Sequence, residues 1–178
     1  MVVTQIIGIV AAFFSVMSFQ QKTQKKIVAM QLIASSFWTL HFFRLGAYTG
    51  CFLNLIAATR DVVFHRREKK WAASPIWIYV VGIASAGVCL LSFTLFDVEF
   101  SFERLVIELL PVLGMIASTI AMRLKEASKV RLFSFISSPL WLIYNIINAS
   151  LGGIVTESIS IISIIIGILR LDIKRKSK

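Results

Sequence analysis

The side chains able to do chemistry in this chain are few, and most sit inside long apolar runs. Glu157 lies in the run 153–170 and His41 in the run 27–44. An ionised carboxylate within a bilayer is costly unless it is paired, hydrated or protonated. Imidazole is the side chain that changes charge near physiological pH. A contact between His41 and Glu157 would make a proton-coupled or cation-binding site. Around these two, polar and aromatic residues recur at helical spacing, which puts each set on one face of a helix. Gln31, Ser35, Trp38 and His41 form one stripe, and Gly50, Asn54, Ala57 and Asp61 a second. Ser137, Trp141, Tyr144 and Asn148 form a third, with Asn145 beside it, and Glu157, Ser160 and Ile164 a fourth. The candidate solute-binding set is Trp38, His41, Asn54, Trp141, Tyr144, Asn145 and Glu157.

Each of these residues has a structural alternative. Trp38 and Trp141 fit an interfacial aromatic belt. Asn54, Asn145 and Asn148 fit interhelical hydrogen bonds, which contribute about 0.6 kcal/mol each. The Ser and Gly residues of 132–170 suit close backbone approach. Arg60 and Asp61 suit an ion pair or an interface anchor, with Arg60 snorkelling to the membrane surface, and Glu108 suits the outer rim. Enzyme chemistry finds no support. The sequence has no Ser–His–Asp set, metal-ligand cluster or phosphate loop, and its two histidines are His41 and His65. Neither a metal nor a cofactor is expected, and Cys51 and Cys89 lie in apolar runs as packing residues.

The elements that must carry these residues are membrane helices. Hydrophobic residues make up 57% and charged residues 16% of the 178, and mean hydropathy is +0.83. That exceeds the usual globular share of about 45–50% apolar residues, so lipid is the expected solvent. A span needs about 20 apolar residues, which predicts helices at 4–21, 27–44, 46–65, 74–96, 105–122, 132–149 and 153–170. No Lys or Arg precedes the first apolar stretch, and no small-residue cleavage site follows it. The first segment therefore reads as a retained helix rather than a signal peptide.

The net charge of +10 raises nucleic acid as a partner, but no groove-reading motif or basic helical stripe is present. The basic residues instead fill alternate loops. Lys22, Lys25 and Lys26 follow the first helix; Arg66, Arg67, Lys69 and Lys70 the third; Arg123, Lys125, Lys129 and Arg131 the fifth. Arg170, Lys174, Arg175, Lys176 and Lys178 end the chain. Sixteen of the nineteen Lys and Arg thus share one side, which the positive-inside rule makes cytoplasmic. The other side holds Arg44 and Arg104 with Asp97, Glu99 and Glu103. The expected topology is seven helices with the N-terminus out and the C-terminus in.

An internal repeat organises the seven. Residues 35–54 read SSFWTLHFFRLGAYTGCFLN, and residues 138–157 read SPLWLIYNIINASLGGIVTE. Aligning Trp38 with Trp141 superposes Gly50 on Gly153, Asn54 on Glu157 and Arg67 on Arg170; Gly8 meets Gly114 after a three-residue gap. Residues 1–65 then form the first three-helix repeat, 66–104 a cytoplasmic loop and linker helix, and 105–178 the second repeat with a basic tail. An odd-numbered repeat needs the extra span to keep both copies parallel, an arrangement known among transporters.

The strings HFFRLGAYTG, ELLPVLGMIAST and LWLIYN…ASLGGIVTE resemble the YgjV family of bacterial inner-membrane proteins over most of the chain. That resemblance implies a multi-pass protein of the bacterial inner membrane. More remotely, the chain is similar to the SWEET, SemiSWEET and PQ-loop transporters, which share the 3+1+3 layout and the N-out topology. By this resemblance Trp38 and Asn54 would be a pocket Trp–Asn pair, and Trp141 a second pocket Trp, with Glu157 replacing the second Asn. The hinge Pro-Gln of that group appears here as Phe19-Gln20-Gln21, without proline, and the second copy has Met122-Arg123-Leu124.

Two functions remain open from sequence. One is a small-solute transporter with a central polar pocket for a polar or cationic solute. The other is a non-transporting receptor, assembly factor or scaffold on the same bundle. The bilayer is the expected surrounding, a homodimer suits so small a bundle, and a water-filled cavity would favour transport over a packed axis.

Overall fold

The computed structural model describes residues 2–95 and 100–173. Asp97 and Glu99, and the tail residues Lys174, Arg175, Lys176 and Lys178, lie outside the described residues. Among the described residues there are seven α-helices and no strand: α1 Val2–Ser18, α2 Gln24–Leu45, α3 Tyr48–His65, α4 Ile76–Leu95, α5 Phe102–Arg123, α6 Ala127–Ile147 and α7 Leu151–Gly167. A π-helical segment, Ile168–Ile173, continues α7. Four helices are long and apolar enough to cross a membrane: α4, α5, α6, and α7 with its extension; α1 is apolar but shorter. The remaining two, α2 and α3, carry polar faces that turn inward, as described below. Their outward side chains, among them Leu40, Phe43, Phe52 and Leu55, are apolar and exposed.

Local chemistry sets the helix ends. Thr23 and Ser101 have extended backbones, and their hydroxyls accept from the Lys26 and Arg104 amides at 3.3 and 3.0 Å, capping α2 and α5. These caps start the two helices three residues earlier than hydropathy alone predicts. At the other end of α2 the backbone turns left-handed at Gly46, with φ 71°, a conformation that glycine adopts without penalty. The turn after α6 does the same at Ala149, with φ 52°. Gly46 and Ala149 share the sequence offset that relates Trp38 to Trp141.

Consecutive helices pack on one another within α1–α2–α3 and within α5–α6–α7, while α4 lies against α3 and α5. The two triplets meet through α1 and α7, α3 and α5, and α2 and α6. Packing is uneven along the bundle. At the end carrying the basic loops, Ile27, Val28, Val63, Phe64, Ala72, Ala121, Met122 and Val130 form a dry core. Further along, Leu53, Ala57, Val81 and Met115 form a smaller one. Hydrogen bonds gather the basic loops at a single end. Gln24 Nε2 donates to Met122 O at 2.9 Å, and Arg123 Nε to Ala73 O at 3.0 Å.

Arg131 is the strongest tie there. It is 2% exposed, and its guanidinium donates to Gln21 O at 2.8 Å and Phe19 O at 3.3 Å. The same group makes a two-point ion pair with Asp172, through Nε at 2.9 Å and through Nη2. One side chain of α6 therefore holds both the end of α1 and the extension of α7. Gly167 lets this happen, because a Cβ there would lie 2.6 Å from Phe19 O and 2.8 Å from Arg131 Cδ. Gln20 adds a second tie, donating to Ser163 O and Oγ at 2.7 and 2.9 Å. Residues 19–21, predicted as the last turn of helix 1, have left the helix to make these contacts.

Candidate functional site

Between the triplets lies a cavity of about 670 Å³, within the usual range of about 300–1,000 Å³ for small-molecule pockets. Its lining comes from α1, α2, α3, α5, α6 and α7. Six of the seven predicted residues line it: Trp38, His41, Asn54, Trp141, Asn145 and Glu157. Lining residues at the end away from the basic loops, such as Gln5, Ile9, Leu45 and Leu151, are exposed. Those at the basic end, including Phe19, Met122, Ser134 and Ser160, are buried. The cavity therefore opens at the end holding the N-terminus of α1, and the dry core and Arg131 tie close it at the other.

Tyr144 is not in the lining. Its ring stands edge-on to Trp141 at 6.2 Å, and its hydroxyl meets Glu108. The inward face of α6 runs Ser134, Ser137, Ser138, Trp141 and Asn145, rotated from the predicted stripe by about one residue. Asn148 instead caps its own helix through Tyr144 O at 2.9 Å and accepts from Arg104 at 3.0 Å. Glu108, expected at the outer rim, is buried and paired with Arg104 at 2.6 Å.

His41 and Glu157 line the same cavity, but no hydrogen bond joins them. His41 Nδ1 is 2.8 Å from Thr4 O, a contact that needs the proton on that nitrogen. Glu157 hydrogen-bonds with Ser138. Trp38 Nε1 donates to Ser15 Oγ at 3.3 Å, which fixes its indole across α1 and α2. Asn54 donates to Gly50 O of its own helix at 2.9 Å, leaving its carbonyl oxygen for another donor. In the two triplets, Gly50 backs on Phe42 and Gly153 on Asn145. These pairs again share the Trp38–Trp141 offset, as do Ser35 with Ser138.

The floor is the Arg60–Asp61 ion pair that the sequence allowed, placed inside the bundle rather than at the membrane surface. Arg60 lines the cavity rather than snorkelling outward: it is 4% exposed and its Nε and Nη2 both donate to Asp61 Oδ1 at 2.9 Å. Its Nη1 donates to Ser118 Oγ at 2.6 Å, and Ser35 donates to Asp61 Oδ2 at 3.3 Å. Ser134, Ser137 and Ser138 of α6 also line the cavity. Ser137 donates to Gly114 O at 2.8 Å, while the buried Ser134 hydroxyl has no protein partner. No group of three or more His, Cys, Asp and Glu able to hold a metal occurs among the described residues.

An all-helical bundle with lipid-facing apolar surfaces and a polar interior cavity defines a polytopic membrane protein. The family profile Imp-YgjV, described as a bacterial inner membrane protein, matches residues 2–175. The chain belongs to that family and is a multi-pass protein of the bacterial inner membrane. It is similar to the inner membrane protein YgjV of Escherichia coli (strain K12), at 25% identity over 151 residues, covering 85% of this chain and 74% of that one. No solved structure matches the chain.

Proposed function

We propose that the protein is a small-solute transporter of the 3+1+3 type, with the cavity between its repeats as the solute site. The observation that carries this reading is the cavity itself. It is lined by polar groups from both triplets, open at one end and closed at the other. Supporting the parallel repeat are the three recurrences at one offset: the left-handed turns at Gly46 and Ala149, the contacts of Gly50 and Gly153, and Ser35 with Ser138. The linker α4 between the triplets fits the same layout. With the basic loops in the cytoplasm, the N-terminus is outside and the cavity faces the periplasm. Phe19, Gln20 and Gln21 replace a proline hinge with the ties to Ser163 and Arg131, so inward opening requires those ties to break. No step in this reading is catalytic.

Uptake of a panel of small polar and cationic solutes into proteoliposomes tests the reading. Asn54→Ala and Glu157→Gln are expected to lower uptake of the transported solute at least tenfold, the equivalent of about 1.4 kcal/mol. A transported solute whose uptake neither change alters would remove the cavity from the path. A receptor or scaffold would bind solute without accumulating it.

A further inference from the structure

We infer that the cavity selects a small organic cation, with the carboxylate of Glu157 as its counter-charge. This rests on the solute-site reading and names its ligand class. The basis is a charge count over the lining. Arg60 and Glu157 are its formally charged members among the described residues. Arg60 is neutralised by Asp61 directly behind it, at 2.9 Å through two nitrogens. His41 is committed through Nδ1 to the Thr4 backbone carbonyl at 2.8 Å. No lysine among the described residues lines the cavity. The basic groups nearest its open end are engaged elsewhere: Arg44 with Thr4 Oγ1 at 3.2 Å, and Arg104 with Glu108 and Asn148. Glu157 has only the Ser138 hydroxyl. One carboxyl group therefore faces the cavity without a cationic protein partner.

The other features decide which cation. A bare metal ion of the hard type takes six to eight oxygen ligands, and one carboxylate with one hydroxyl falls far short. A cavity of about 670 Å³ is also far larger than an ion. Its walls include Trp38, Phe42 and Trp141, and aromatic faces attract alkylammonium groups with most strength where water is excluded. Ser134, Asn54 and Asn145 offer polar contacts to the remainder of the ligand. Glu157 occupies the position equivalent to Asn54 in the first repeat, so the asymmetry between the two copies is itself a charge. A ligand with one cationic end and one neutral polar end matches that asymmetry.

Choline and its neutral carbon isostere 3,3-dimethylbutan-1-ol differ by this charge at almost equal shape. Binding to the purified full chain in detergent is measured by calorimetry, together with methylammonium, tetramethylammonium and putrescine, and with sodium at matched ionic strength. At least one organic cation is expected to bind, with choline favoured over the alcohol by roughly tenfold or more. Glu157→Gln, which keeps the side-chain volume and a partner for Ser138, is expected to erase that preference while the melting temperature stays near that of the unsubstituted chain. Equal binding of choline and the alcohol overturns the inference. So does a preference that survives Glu157→Gln, a site that takes sodium as well as it takes choline, or no binding by any of the cations. Charge-selective binding without uptake in proteoliposomes would leave the cation site standing and remove transport. Uptake of neutral solutes alone would do the reverse.

Discussion

Replacing Arg131 by Met is expected to lower the melting temperature of the detergent-solubilised protein by roughly 6–12 °C, and to loosen the closed end of the cavity. The guanidinium is buried, donates to two carbonyls of the α1–α2 connection and pairs at two points with Asp172. Removing it leaves Asp172 without its cation and two carbonyls without a donor. Breaking a buried pair costs about 3–5 kcal/mol. Asp172 keeps 15% of its side-chain surface exposed, so water recovers part of that, which places the loss near about 3 kcal/mol. For a chain of this size each kcal/mol moves the midpoint by roughly 2–4 °C. Asp172→Asn should cost less, because Arg131 keeps its carbonyl acceptors. A melting temperature unchanged in Arg131→Met would mean that the tie carries no stability.

The second large effect is at the cavity floor. Asp61→Ala is expected to destabilise by about 3–5 kcal/mol, on the order of 10 °C in midpoint. Asp61 is 0% exposed and Arg60 4%, so the deletion strands a guanidinium in a site with only Ser118 to receive it. The double change Arg60→Met with Asp61→Leu should recover most of the loss, because a buried pair replaced by apolar residues of similar volume is often neutral. Thermal unfolding of Arg60→Met, Asp61→Leu and the double variant forms the cycle that isolates the pair. Additive losses would show that the two charges do not depend on each other.

Much of this architecture was legible in the sequence, for physical reasons that can be named. Apolar runs bounded by basic loops match the order and number of the seven helices, and four of those helices are long and apolar enough to cross a membrane. The spacing of Trp38, Asn54, Trp141 and Glu157 brought out the cavity walls because helical periodicity is local. What was not legible depends on contacts between distant residues. The start of α6 falls at Ala127 rather than 132, because Lys129 and Arg131 look like solvent charges until Asp172 is seen to neutralise Arg131. Tyr144 leaves the predicted lining while Asn145 keeps its place in it, because helix rotation is set by packing against α5 and α7, where Asn145 fits over Gly153. A signal for this was present. Asn145 occupies the position of Phe42 in the first repeat, and Gly153 that of Gly50. The Arg60–Asp61 ion pair was one of two readings open from sequence, and the surface anchor falls away because Arg60 also reaches Ser118, 58 residues away.

Transport as proposed requires a water-accessible cavity reaching inward from the periplasm between the two triplets. Ala12 lines it midway along α1 and makes no side-chain hydrogen bond, so a cysteine there reports access with little disturbance. With the buried Cys51 and Cys89 replaced by alanine, Ala12→Cys is exposed in intact membranes to a membrane-impermeant thiol reagent applied from each side in turn. Labelling from the periplasmic side, with little from the cytoplasmic side, is the predicted result. A cysteine that reacts only after denaturation, or only from the cytoplasmic side, would contradict it.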